Sequence, residues 1–145
     1  MTDGIFRRLR TRAAQAALAA FCGVLLLGSS GCSRVFWRPD LGGGMRLAGE
    51  RNQVVVVAYW SSLNADCMRM EEKVFTNPEV VKTLRGTIPV RISSLTNQRF
   101  AEDYGLTTVP AFVIFGPDGG VLRISQGYMD EARFRGMVEA AKLSM

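Results

Sequence analysis

Runs of apolar residues along the chain are of two kinds, and together they predict buried strands followed by amphipathic helices. Residues 54–59 form a continuous, mostly β-branched apolar run, which is typical of a strand buried on both faces of a sheet. After Asn64, apolar residues recur every three or four positions, at Cys67, Met70 and Val74. This spacing predicts a helix with Asn64 as its N-cap. We therefore expect a central strand that leads through a short elbow into a helix.

The rest of the chain predicts three more strands and three more helical segments. Asn77-Pro78 restarts a helix, because asparagine caps helices and proline is tolerated at their first position. Residues 87–94 alternate apolar and polar side chains, and Pro89 among them favours an edge strand. The pattern is completed by a short helix, the two strands of an antiparallel hairpin and a capped final helix, over residues 97–104, 111–115, 121–125 and 130–141.

The order of these elements predicts an α/β fold. A strand-helix-strand crossover followed by a helix, a hairpin and a last helix (β-α-β-α-β-β-α) places a four-stranded mixed sheet between helices on both faces. The pattern occupies residues 51–145, and a chain of 145 residues with 48% hydrophobic and 21% charged residues has room for one such domain.

The charge of the chain is concentrated in its first residues. The formal net charge is +5, but residues 33–145 hold 14 basic and 12 acidic residues, so we expect no nucleic-acid binding. Histidine is absent from the sequence, which excludes His-ligated zinc and Ser-His-Asp catalysis. We predict no metal site and no cofactor.

The first 31 residues are predicted to be a secretory signal. Four arginines precede sixteen uncharged residues, 13–28, and small residues then lead to Cys32. The sequence Leu-Gly-Ser-Ser-Gly-Cys resembles a bacterial lipobox, which would make Cys32 the lipidated first residue of a protein anchored on the periplasmic side of the envelope. Plain secretion and an uncleaved anchor are the alternatives, although a membrane-spanning helix needs about 20 apolar residues.

Residues 32–50 are predicted to be the lipid-bearing cysteine and a flexible tether. Pro39 and the glycines at 42–44 interrupt any periodicity and favour a spacer without regular structure, to which residues 45–49 would add at most a short edge strand. Phe36 and Trp37 have two interpretations. They rest at the membrane interface, where aromatic rings are favoured, or they pack on the domain.

Several short motifs resemble the thioredoxin family. The order of elements and the Thr-Val-Pro sequence that ends at Pro110 resemble the thioredoxin fold. More specific similarity to the periplasmic thioredoxin-like domain at the C-terminus of the disulfide reductase DsbD, and to short exported thioredoxins, lies in four motifs: Met70-Glu71, Val74-Phe75, Asn77-Pro78-Glu79-Val80 and Gly127-Tyr128-Met129-Asp130. The resemblance covers about residues 50–143.

The same resemblance shows where this chain departs from the family. Family members use a Cys-x-x-Cys pair at the start of the first helix, whose first thiolate attacks a substrate disulfide. The second cysteine falls on Cys67, but the first falls on Asn64, which has no thiol. The usual tryptophan before it is Leu63, and the usual buried carboxylate is Ala58. These departures argue against dithiol oxidoreductase activity.

Two functional hypotheses follow. In the first, the domain is a binding module of envelope thiol-disulfide homeostasis that holds an extended peptide or a protein partner. The resemblance implies a cis-proline at Pro110, with free backbone groups at Val109, and a groove formed by Trp60, Leu63, Asn64, Val109, Pro110 and Gly127. In the second, Cys67 is a single reactive thiol that forms a mixed disulfide with a partner or a disulfide dimer. If Cys67 is instead a small buried hydrophobe, the second hypothesis fails.

Overall fold

The computed structural model describes residues 34–145. Within them the chain forms five helices and four strands: α1 Leu41–Arg51, β1 Val55–Trp60, α2 Ala65–Lys73, α3 Pro78–Arg85, β2 Ile88–Ser93, α4 Gln98–Tyr104, β3 Ala111–Phe115, β4 Val121–Gln126 and α5 Glu131–Lys142. The predicted caps Asn64, Asn77 and Asp130 each accept a backbone N–H bond with their side chains.

The four strands form one mixed sheet in the order β2-β1-β3-β4. Strand β1 runs parallel to β2 and antiparallel to β3, and β3 pairs with β4 as a hairpin. The predicted central position of β1 is confirmed. Strand β2 lies at an edge, where Pro89 is tolerated because an edge strand does not need every N–H for pairing.

Strand β1 contributes to hydrophobic layers on both sides of the sheet, and all six of its residues are buried. Val56, Ala58 and Trp60 face a layer completed by α2, α3 and α5. Val57 and Tyr59 face a second layer, to which α1 and α4 contribute. Helices therefore cover both faces of the sheet, as predicted, and the end of β1 emerges between two packed layers.

The predicted tether is wrong from residue 41 onward. Residues Leu41–Arg51 form helix α1, neither a spacer nor an edge strand; the Asp40 carboxylate accepts the Gly43 N–H at 2.9 Å. A Cβ at Gly44 would lie 2.6 Å from Cγ2 of Val90, so glycine allows this helix to lie close against β2. Glycine costs a helix about 1 kcal/mol, and close packing on the sheet offsets that cost.

The segment before α1 is held against the edge of the sheet. The Arg38 N–H donates to the Pro89 carbonyl at 2.9 Å, and the Arg91 N–H donates to the Arg38 carbonyl at 2.8 Å. Of the two neighbouring aromatic residues, Trp37 packs on the domain, with its ring centroid 5.0 Å from that of Phe75. Phe36 is 79% exposed.

The predicted signal sequence and lipidation at Cys32 lie outside the described residues. Among the helices of residues 34–145, none is both long enough and apolar enough to cross a bilayer.

Candidate functional site

The elbow between β1 and α2 is shaped by local hydrogen bonds around Asn64. Its side-chain oxygen accepts the Cys67 N–H at 3.0 Å, and its carbonyl accepts the Met68 N–H at 3.1 Å. The Ser61 carbonyl accepts the Asn64 N–H at 3.3 Å. Asn64 is therefore used as a helix cap at the position where the family pattern has a nucleophile, and an asparagine amide supplies no thiolate.

Cys67 is enclosed in the core one turn inside α2. It has no accessible surface and belongs to the same apolar layer as Met70 and Val74. Burial raises the pKa of its thiol, and the charge of Asp66 adds to this effect; a backbone hydrogen bond with Ser61 and the charge of Arg91 act in the opposite direction. Since the thiolate is the reactive form of cysteine, this environment favours a structural role.

A charged cluster that sequence reasoning missed lies beside this thiol. The Arg91 side chain, 24% exposed, donates from Nη2 to the Glu71 carboxylate at 2.6 Å. Its guanidinium carbon lies 4.4 Å from the ring centroid of Trp60 and 4.6 Å from that of Trp37, within the range of a cation–π interaction. Burial lowers the pKa of Arg91, and Glu71 opposes that shift.

Arg91 also lies next to the missing carboxylate position. In the parallel register, Arg91 pairs with Ala58, where the family resemblance implies a proton-transferring acid. A guanidinium cannot replace that acid, because arginine stays protonated in proteins. Arg91 occupies a polar position in the alternating pattern of residues 87–94, and a sheet covered by helices on both faces leaves no face free for a charged side chain. That conflict is the signal in the sequence from which a partly buried charge could have been predicted.

The second wall of the site is the segment before β3. The Val109–Pro110 peptide bond is cis, as the resemblance implied, and the Gly127 N–H donates to the Pro110 carbonyl at 2.8 Å. Gly127 has a φ of 87°, a left-handed conformation that glycine adopts readily. Because Tyr59 pairs with Ala111 in the sheet, this segment lies beside the start of the elbow.

The backbone of Val109 pairs with no strand of the sheet. Within the described residues, its N–H has no hydrogen-bond partner, and its carbonyl accepts only the Thr108 hydroxyl at 3.4 Å. The side chain is half-buried and packs against both hydrophobic layers. Packing of the side chain on both layers therefore fixes the position of a half-buried residue whose backbone N–H is unpaired, and an added strand requires such a free backbone group.

The structure separates the predicted groove residues into a surface and a support. Leu63 is 85% exposed, whereas Trp60 exposes only 7% and lies in the core. Pro110 is buried as well, so we define the elbow surface as Leu63, Asn64, Val109 and Gly127, with Trp60 and Pro110 as its support. Its far side is closed by α2, since the Arg69 guanidinium lies 3.5 Å from the ring centroid of Tyr128.

Comparisons with known proteins agree with this geometry. The family model for the thioredoxin-like domain matches residues 43–142. A thioredoxin from Thermus thermophilus shares 24% identity and a TM-score of 0.64, over 72% of this chain and 85% of that one. The oxidised DsbD C-terminal domain of Neisseria meningitidis shares 20% identity and a TM-score of 0.62, over 72% and 97%.

A DsbH oxidoreductase shares 13% identity and a TM-score of 0.60, over 88% of this chain and 99% of that one. A search of curated protein sequences finds no significant match. The thioredoxin fold expected from the motifs is confirmed, and so is the similarity to the DsbD domain. Because the family model matches most of this chain, the chain belongs to the thioredoxin-like domain family.

Proposed function

We propose that this protein is an exported, membrane-tethered thioredoxin-like module that binds an extended peptide, or an extended segment of an envelope protein, at the elbow surface. The observation that carries the proposal is the unpaired N–H of Val109, on the segment that flanks the elbow with its exposed Leu63 side chain. Residues 64–67 read Asn-Ala-Asp-Cys, so binding proceeds without a Cys-x-x-Cys pair.

Extended backbone pairing explains how such a surface binds without thiol chemistry. An incoming strand donates to and accepts from Val109, while an apolar side chain of the peptide covers Leu63. Backbone bonds supply affinity, and contacts with alternate side chains supply specificity. The Asn64 amide is already bonded to the helix, so it contributes shape and a polar rim.

The alternative, a single-cysteine redox protein acting through Cys67, has less support. A mixed disulfide or a disulfide dimer requires the sulfur to reach a second sulfur, and Cys67 has no accessible surface. Burial also raises the pKa of its thiol, which lowers the thiolate fraction that such an exchange needs.

A binding experiment tests the proposal with a probe that has no thiol. We expect fluorescein-labelled, S-carboxymethylated insulin B chain to bind saturably, as followed by fluorescence anisotropy. Leu63→Glu is expected to weaken binding at least about tenfold, which corresponds to roughly 1.4 kcal/mol, because it places a charge on the apolar part of the elbow surface. Folding should be unaffected, since Leu63 is 85% exposed.

Leu143→Glu is the matched control, because Leu143 is 87% exposed and lies after helix α5. It should leave the affinity unchanged. Absence of saturable binding, or equal losses in the two variants, would reject the elbow surface as a peptide site.

The membrane tether is supported by the charge pattern of residues 1–31 and by the lipobox-like sequence at Cys32. Intact mass of the protein purified from bacterial membranes tests it. We expect a mature species that begins at Cys32 and carries the added mass of acyl chains; an unprocessed N-terminus would contradict lipidation.

A further inference from the structure

A basic concavity lies away from the elbow surface, between the edge strand β2 and the segment that precedes α1. It has a volume of about 230 Å³ and a floor formed partly by Val81, Leu84 and Ile88. Four arginines line it: Arg34, Arg38, Arg51 and Arg85. No acidic side chain belongs to the lining, although residues 33–145 as a whole are nearly balanced in charge.

None of these four arginines is neutralised by the domain. Among residues 34–145, ion pairs and side-chain hydrogen bonds involve other arginines, including Arg91, Arg69 and Arg99. The helix dipole accounts for Arg51 and Arg85, each at a helix C-terminus, but not for Arg34 and Arg38. Four unpaired positive charges around an apolar floor create a positive potential that attracts anions.

The position of this concavity in the chain indicates its ligand. Arg34 follows Cys32 by two residues, a covalent reach of about 7 Å, and Cys32 follows the uncharged run at 13–28. Phe36, also in the lining, is 79% exposed. Arginines beside an exposed aromatic ring are the combination that suits the surface of an anionic bilayer.

We propose that this concavity, formed by Arg34, Arg38, Arg51 and Arg85, binds the phosphate groups of anionic phospholipids and holds the domain against the membrane. The inference uses the tether of the proposed function to bring the concavity to the bilayer, but it does not depend on peptide binding. It predicts a fixed orientation, in which the arginine face meets lipid.

Arginine footprinting tests this orientation with the full chain. The protein is reconstituted into vesicles of phosphatidylcholine alone or with 30% phosphatidylglycerol, and phenylglyoxal modification of each arginine is followed by mass spectrometry. We expect phosphatidylglycerol to slow modification of the four lining arginines at least threefold. Arg99 and Arg133, both exposed on other helices, should react at the same rate in both vesicles.

Paired variants and a soluble anion complete the experiment. Arg51→Gln with Arg85→Gln should abolish the protection of Arg34 and Arg38, whereas the control pair Arg99→Gln with Arg133→Gln should preserve it. Equal reactivity in the two vesicle types, or equal slowing of all six arginines, would overturn the proposal. Equal protection by inorganic phosphate with phosphatidylcholine vesicles would also overturn it, because the site would then bind a soluble anion.

Sedimentation of the same samples separates failure of the tether from failure of the concavity. Protein that sediments with both vesicle types but shows no selective protection retains its anchor and contradicts the lipid site. Protein that sediments with neither vesicle type contradicts both the membrane tether and the lipid site.

Discussion

Asn64→Cys is expected to convert this protein into a dithiol reductase. Position 64 lies at the N-terminus of α2, and its side chain already reaches the backbone of Cys67 at 3.0 Å, so a cysteine there can pair with Cys67. We expect a disulfide between the two positions, and insulin reduction by dithiothreitol at least about tenfold faster than with the unmodified chain. Loss of the asparagine cap should cost about 1 kcal/mol of stability.

The matched control is Asn64→Ser, which preserves a capping oxygen without a thiol and should remain inactive. In the unmodified chain, peptide mapping after alkylation should show Cys67 labelled only on unfolding, since the thiol is buried and its pKa is raised. An inactive Asn64→Cys variant would show that the missing nucleophile belongs elsewhere. If the unmodified chain reduces insulin at a rate typical of thioredoxins, a binding function without redox chemistry is contradicted.

Phe75→Ala is expected to have the largest effect on stability. The Phe75 ring is 3% exposed and contacts four aromatic rings, with centroid distances of 5.0 Å to Trp37, 5.7 Å to Trp60, 6.4 Å to Phe112 and 5.4 Å to Phe134. Removing a buried phenylalanine costs about 3–5 kcal/mol, out of the roughly 5–15 kcal/mol typical of a domain. The Tm should fall by roughly 10–25 °C in a circular-dichroism melt.

Phe36→Ala provides the comparison, because the 79% exposed Phe36 ring should contribute less than about 0.5 kcal/mol. Phe75 joins the segment at Trp37 to the end of β1 at Trp60. Its loss should therefore also weaken binding at the elbow surface. If Phe75→Ala lowers the Tm by only a few degrees, the surrounding rings must fill the cavity that the missing ring leaves.

Much of the candidate site was predictable because its determinants are local. Asn64 was predicted to be a helix N-cap, and the structure confirms it. A capping side chain accepts a hydrogen bond from a backbone N–H only three residues away, so this interaction does not depend on the rest of the fold. Pro110 and Gly127 were identified from short motifs. The role of Trp60 was not predictable, because whether a ring at the end of a strand is covered depends on Phe75 and Arg91, both distant from it in sequence.

From the sequence alone, the hydrophobic periodicity, the caps and the Pro89 and hairpin patterns determined the order of elements from β1 onward and the mixed sheet. These follow from interactions between near neighbours along the chain. The tertiary structure decided what depends on distant contacts: the helix at residues 41–51, stabilised where Gly44 packs on Val90, and the enclosure of Cys67 beside Arg91. At the elbow, the local pattern set the shape, and long-range packing enclosed its only thiol.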